Sequence, residues 1–298
     1  MKALFITTNT PDCSNHVAAW ESAYGPAERY IFHLKGISVD HKILEVVQHA
    51  APDVIFYIGP FQGLSAPSVK THKALREIAP TINLCSDAAD KPWHGPLELY
   101  RHHGCFDLQA SLDGAKPNGI DVATLTPVDP RPFDVDLKRN IRCGFSGSKG
   151  RWNARSEVIK SLIWFGGLIP REDGDELDHG ISYRDHAKFL KRCRMTINVS
   201  NTGSGRLHHI KGRVLEAGYA GCALLESEGS PIAAWFPEDC YQLYRDPPHA
   251  ADLIKSLDDE TIDRMASRLH EEVTTRYSAK TIYGEMLSHV DIAKPRAA

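Results

Sequence analysis

No apolar run in this chain approaches eighteen residues, and no basic-then-apolar leader opens it. Neither a membrane span nor a secretory signal is therefore expected. No single charge dominates: 35 Lys and Arg against 38 Asp and Glu leave a net charge of −3, too small to draw the whole chain onto nucleic acid. Internal repeats and low-complexity tracts are missing, which excludes a repeat architecture. Paired cysteine spacing is missing too. The seven cysteines are odd in number, and Cys85, Cys143 and Cys222 sit in apolar runs, so reduced, buried thiols and a cytoplasmic location are expected.

What is present is ordinary globular composition, 42% hydrophobic and 24% charged over 298 residues, enough for two domains. Short strand-like runs at 2–7, 30–34, 53–58, 81–85, 106–109 and 122–125 alternate with helical patterns at 41–50, 68–78 and 95–103. That alternation predicts a parallel α/β sheet covered on both faces. Three prolines in Thr126–Phe133 read as an extended linker. A second α/β unit follows, with strands at 141–145, 195–199, 222–225 and 241–244. Its helices are expected at 154–165, 183–192, 209–220, 249–257, 259–274 and 279–289. The expected domains are 1–133, 134–276 and a closing helix in 277–298 that packs back on the first. The fold class is α/β, two Rossmann-like doubly wound domains facing across a cleft at the carboxyl ends of their strands.

The densest chemistry lies in 197–226, INVSNTGSGRLHHIKGRVLEAGYAGCALLE. A glycine-rich turn with Ser204 and Gly205 leads to a helix expected to begin near His208 or His209. Its free N–H groups, with Arg206, Lys211 and Arg213, suit a diphosphate. Lys211 and Arg213 are two residues apart and do not share a helix face, so either one is solvated or both converge in an irregular first turn. Glu216 is placed to accept from two vicinal hydroxyls of a ribose, or else is a surface ion-pair partner. A second glycine turn, Gly144-Phe145-Ser146-Gly147-Ser148-Lys149-Gly150, follows the strand 141–145. It matches neither a P-loop nor a dinucleotide fingerprint, yet it offers N–H groups and two serine hydroxyls. Seven Lys or Arg against the single acid Glu157 in 138–160, Arg151 and Arg155 among them, suggest an anionic ligand nearby.

For a general base the N-terminal half offers Asp87, just past the strand 81–85, with His16, Asp12, Asp90 and His94 on comparable loops. The acidic stretch Asp173-Gly-Asp-Glu-Leu-Asp178 lacks calcium-loop spacing, and the adjacent pairs His102-His103 and His208-His209 diverge, so no metal site is expected.

The segments Arg142-Cys-Gly-Phe-Ser-Gly, Met195-Thr-Ile-Asn-Val-Ser, Lys211-Gly-Arg-Val-Leu-Glu-Ala-Gly-Tyr-Ala-Gly-Cys-Ala-Leu-Leu and Phe236-Pro-Glu-Asp-Cys-Tyr-Gln-Leu-Tyr come in an order that resembles the donor domain of GT-B glycosyltransferases. The resemblance is to the family-1-like group of bacterial transferases related to the spore-maturation protein CgeB. It covers about 120–290; over 1–110 the likeness is one of fold. It implies transfer of a sugar from a UDP-, GDP- or dTDP-sugar to a hydroxyl of a glycan, lipid-linked glycan or small molecule, without a tightly held metal. It assigns Glu216 to the ribose and Arg213 with Lys211 to the diphosphate. Gly144 to Ser148 would line the phosphates, and Asp87 would act as acceptor-side base. Retaining relatives carry a second glutamate eight positions before the first; here that position is His208, so inversion stays open. Rival expectations are an epimerase or hydrolase of the same fold, a nucleotide-sugar binding protein without chemistry, and a transferase acting on modified DNA bases.

Overall fold

The computed structural model describes residues 1–8, 11–33, 39–60, 66–147, 153–170, 182–205 and 207–292. The chain divides into two units, Met1–Asp129 with Ala279–Ala298, and Pro130–Ser278.

The first unit holds β1 (Ala3–Thr8), α1 (Pro11–Tyr24), β2 (Glu28–Phe32), α2 (Asp40–Ala50) and β3 (Val54–Ile58). It continues with α3 (Val69–Ile78), β4 (Thr81–Cys85), α4 (His94–His103), β5 (Leu108–Ser111) and β6 (Val122–Ala123). The sheet order is β2-β1-β3-β4-β5-β6, every pairing parallel. Every residue of β1, β3 and β4 is buried; their near-continuous apolar runs are what a sheet covered on both faces requires. Ser68 caps α3 through Thr71 N. On one face Phe5, Trp20 and Phe56 meet Tyr283, ring to ring.

In the second unit lie β7 (Ile141–Phe145), α5 (Asn153–Trp164), β8 (Ile169–Pro170), α6 (Tyr183–Lys191), β9 (Cys193–Asn198) and α7 (Arg213–Ala220). After them come β10 (Ala223–Ser227), β11 (Tyr241–Tyr244), α8 (Pro247–Ser256) and α9 (Asp259–Thr275). The last helix of the chain, α10 (Ala279–Ser288), carries Tyr283 and packs on α1 in the first unit. The second sheet runs β11-β10-β9-β7-β8, again all parallel. Its core joins Cys143, Phe145, Met195, Ile197, Leu225 and Tyr244 to Ile254, Ile262 and Met265 of α8 and α9. Both units are Rossmann-like α/β domains, as their strand and helix alternation led us to expect.

Two expectations change. The helix expected from His208 or His209 begins at Arg213. Asn201 bridges His208 antiparallel, and His209 N donates to Ser200 O at 2.9 Å; those backbones close a short hairpin and are not helical. The linker is not extended throughout, because Arg131–Phe133 forms a 3-10 turn. Phe133 packs there against Tyr183 and Tyr219, and burying the ring outweighs the proline preference for extension. Helix α1 has no counterpart among the expected elements.

The six described cysteines, Cys85, Cys105, Cys143, Cys193, Cys222 and Cys240, are free and buried. Burial raises the Cys222 thiol to about 11. No helix among the described residues is long and apolar enough to cross a membrane.

Candidate functional site

In the second sheet the chain leaves β7 toward β8 on one side and toward β9 on the other. The carboxyl ends of β7 and β9 therefore flank the point where strand order reverses, the place where open α/β sheets bind ligands. The glycine turn after Phe145 and the hairpin after Asn198 both start there. Thr196 Oγ1 donates to Gly144 O at 2.9 Å and ties the two strand ends.

Arg213 is the first residue of α7 and is partly buried. Its guanidinium carbon stands 4.5 Å from the centroid of the Phe145 ring. Nη1 is wholly buried and has no hydrogen-bond partner among the described residues. Burial lowers its pKa to about 10, with Arg155 adding to the fall and Glu216 and Glu226 opposing it. Gly147 lies against the same cation. Its φ of +147° is one that L side chains rarely adopt, and a Cβ there would stand 2.6 Å from Arg213 Nη2 and displace the guanidinium.

One turn along α7, Glu216 Oε2 accepts from His186 Nε2 at 3.0 Å. Burial alone would raise its carboxyl; the charge and hydrogen bond of His186, the charge of Arg213 and a hydrogen bond from Tyr183 outweigh it and hold the pKa below the usual range. The other His186 ring nitrogen, Nδ1, is 2.9 Å from Ser146 Oγ. Ser146 is 1% exposed, so its hydroxyl serves the imidazole.

The remaining expected residues are spread around this cluster. Gly144 is a packing glycine, since a Cβ there would run into Cys193 and Phe189. Ser204 and Gly205 form the exposed tip of the hairpin, with Ser204 Oγ 3.2 Å from Thr202 Oγ1. His208 Nδ1 is 2.7 Å from Ser200 Oγ, which is itself 2.7 Å from Ser227 Oγ. Burial, His209 and Lys211 all lower the His208 pKa. Lys211 precedes α7 and meets His209 Nε2 at 2.7 Å. In the other unit His16 is 2% exposed, its Nε2 is 3.3 Å from Ser86 Oγ, and burial lowers its pKa to about 4. Asp87 is exposed, just past β4. Ser148, Lys149, Arg151, Arg206, the side chain of Asp12 and the acidic stretch 173–178 lie outside the described residues.

The basic run 138–160 is partly accounted for by structure. Arg139 donates to Cys193 O at 2.6 Å and to Ala220 O, the last residue of α7, at 2.8 Å. Arg142 Nε donates to Ile254 O at 2.6 Å, and Nη2 to Leu257 O, at the end of α8. Cations at helix C-termini satisfy orphan carbonyls and the helix dipole, so these two arginines do not await an anion.

Sequence reasoning missed His186, Asn198 and Glu226. Glu226 is the penultimate residue of β10, where Asn198 Nδ2 donates to it at 2.8 Å and Ser227 N at 3.1 Å. Burial raises its pKa to about 7 against those bonds. Its one sequence signal is an acid at the end of an apolar run. No group of three or more His, Cys, Asp or Glu suited to a metal occurs among the described residues.

A family model described as glycosyl transferase-like matches residues 135–288, and the chain belongs to that family. No curated protein matches it significantly. Among solved structures, Alr3699/HepE of Anabaena in complex with UDP and glucose is similar at TM-score 0.65 and 11% identity, over 97% of this chain and 100% of that one. An alpha-glucosyltransferase in complex with UDP and a 13-mer DNA containing a central A:G mismatch gives 0.63 and 12%, over 99% and 100%. A glycosyltransferase from Rickettsia africae gives 0.62 and 9%, over 98% of both chains. These likenesses establish the fold, the two Rossmann-like domains of GT-B.

Proposed function

We propose that this member of the glycosyl transferase-like family moves a sugar from a nucleoside-diphosphate sugar to an acceptor hydroxyl, without a resident metal. Pro130–Ser278 holds the donor nucleotide in this reading. The observation that carries it is Arg213: a cation at the start of α7, packed on Phe145 and against Gly147, whose buried Nη1 lacks a partner among the described residues. A buried donor left unpaired is costly, and a diphosphate at a helix N-terminus is the ligand that would satisfy it. Lys211, His208 and the backbone at Gly147 and Gly205 add donors and close approach, with Ser204 at the hairpin tip, while Gly144 only makes room for the packing behind the turn. Ser148 and Arg151 keep the phosphate role the sequence suggests, and Ser146 serves from behind. Glu216, held ionised, accepts from the ribose hydroxyls. UDP is the first nucleotide to try, since solved structures of similar fold hold it.

As the glycosidic bond breaks, the leaving nucleoside diphosphate gains charge, and fixed cations and N–H dipoles stabilise it. Asp87 is the proposed base for the acceptor hydroxyl because it is exposed. His16, the other candidate, is buried and holds its proton weakly.

Release of nucleoside diphosphate from UDP-, GDP- and dTDP-sugars, with and without hydroxyl acceptors, tests the reading. Acceptor-dependent release is the expected result. Acceptor-independent release would make the protein a hydrolase, conversion of the donor to another sugar nucleotide without release an epimerase, and binding without turnover a binding protein.

A further inference from the structure

Ser146, His186 and Glu216 come from three different elements: the turn after β7, helix α6 and the first turn of α7. One imidazole joins them, with Nδ1 2.9 Å from Ser146 Oγ and Nε2 3.0 Å from Glu216 Oε2. All three are shielded: Ser146 is 1% exposed, and the side chains of His186 and Glu216 are 12% and 16% exposed. Tyr183, one turn before His186 on α6, stacks on the same ring at 5.9 Å between centroids and also reaches Glu216.

The hydrogen-bond directions follow from the carboxylate. An ionised carboxylate only accepts, so Nε2 carries the proton and donates to Glu216. Nδ1 then accepts the Ser146 hydroxyl proton, or donates to Ser146 Oγ if the ring is protonated; a hydroxyl can rotate to serve either. The ring is therefore held at both ends whatever its charge. A glutamate in the first turn of a helix has three side-chain torsions to fix before it can meet a rigid diol. Fixing them beforehand removes an ordering cost from binding.

We propose that His186 is a positioning residue of the donor seat: it holds the Glu216 carboxylate in the rotamer that reads the ribose hydroxyls and locks that rotamer to the glycine turn through Ser146. This rests on the proposed nucleotide-binding role of the second unit and adds the part that sets its ribose selectivity. The imidazole touches neither ligand nor reacting atoms in this account. Its effect passes through Glu216 at one end and the backbone of Ser146 and Gly147 at the other.

The two ends separate by substitution. Gln reaches as far as Nε2 and offers an N–H to Glu216 while losing Ser146. Asn reaches only as far as Nδ1 and keeps Ser146 while losing Glu216. Phe keeps the ring and loses both.

The test is calorimetric titration of the full chain with UDP, GDP and ADP, each against its 2′,3′-dideoxy counterpart, in wild type, His186→Gln, His186→Asn and His186→Phe. Thermal melts of each variant run alongside. Wild type is expected to prefer the ribose form on the order of tenfold, the worth of one hydrogen-bonded charged acceptor. His186→Phe and His186→Asn are expected to lose most of that preference, and His186→Gln to restore much of it, irrespective of how the melting temperatures rank. A wild-type preference retained in folded His186→Phe would overturn the positioning role and leave the nucleotide site standing. Absence of nucleotide binding in folded wild type would overturn both, whereas binding with no ribose preference would overturn the positioning role and leave the nucleotide site standing.

Discussion

Replacing Arg213 by Met removes the cation and keeps an unbranched apolar stem that ends about where Nε stands. Burial brings the guanidinium from 12.5 down to about 10, Arg155 adds to the fall, and Glu216 and Glu226 oppose it. At about 1.4 kcal/mol per pKa unit that corresponds to a standing cost of about 3 kcal/mol to the folded state. The Phe145 ring beneath the cation returns about 1 kcal/mol. The variant should therefore gain about 2 kcal/mol of stability while losing nucleotide binding, the trade expected where a site is strained for function. A base whose pKa falls on folding penalises the folded state at every pH below about 10. The gain should thus persist at both pH 6 and pH 8 and be the larger at pH 6, where Glu226, raised to about 7, is mostly protonated and opposes the penalty less. Urea unfolding at both pH values, paired with nucleotide titration, checks this. A variant that is less stable than wild type, or that binds nucleotide as tightly, would refute the reasoning and make Arg213 a structural cation.

Two further predictions concern the scaffold. His72 is fully buried among Tyr57, Tyr100 and Phe106, with no hydrogen bond to either ring nitrogen among the described residues. Burial lowers its pKa from 6.5 to about 3 against the pull of Asp40. The unfolded chain binds that proton first, so stability is full above pH 6.5 and falls toward pH 3, by about 2 kcal/mol at pH 5. His72→Phe should remove that share of the acid loss, read by hydrogen exchange of the β3 and β4 amides; an unchanged slope would count against it. His16 contributes a similar slope to both proteins. Gly218→Ala would set a Cβ 2.5 Å from Val273 Cγ2 and 3.2 Å from Leu269 O where α7 meets α9. It should cost about 1–3 kcal/mol by overpacking, visible as a lower melting temperature.

The strands of the second unit were legible because buried parallel strands are short, apolar and bounded by glycine or polar turns. Ile141–Phe145 and Tyr241–Tyr244 stand as read. The start of α7 was not, because the bridge from Asn201 to His208 is a pairing between residues seven apart that no helical period reveals. At the site, the sequence brought forward Gly147, Arg213 and Glu216 through glycine and charge near one helix start. It could not bring forward His186, which sits in an unremarkable polar helix and matters only because α6 folds it between Ser146 and Glu216. Arg139 and Arg142 misled for the converse reason: their partners are backbone carbonyls at distant helix ends, and carbonyls leave no mark in a sequence.

The most direct measurement is calorimetric titration of the chelator-treated protein with UDP, GDP, ADP, CMP and dTDP, repeated on the tightest binder with Arg213→Ala and Glu216→Ala. Selective micromolar binding that survives the chelator and is lost in both variants is the predicted result. No binding of any nucleotide by demonstrably folded protein would contradict the donor-site account.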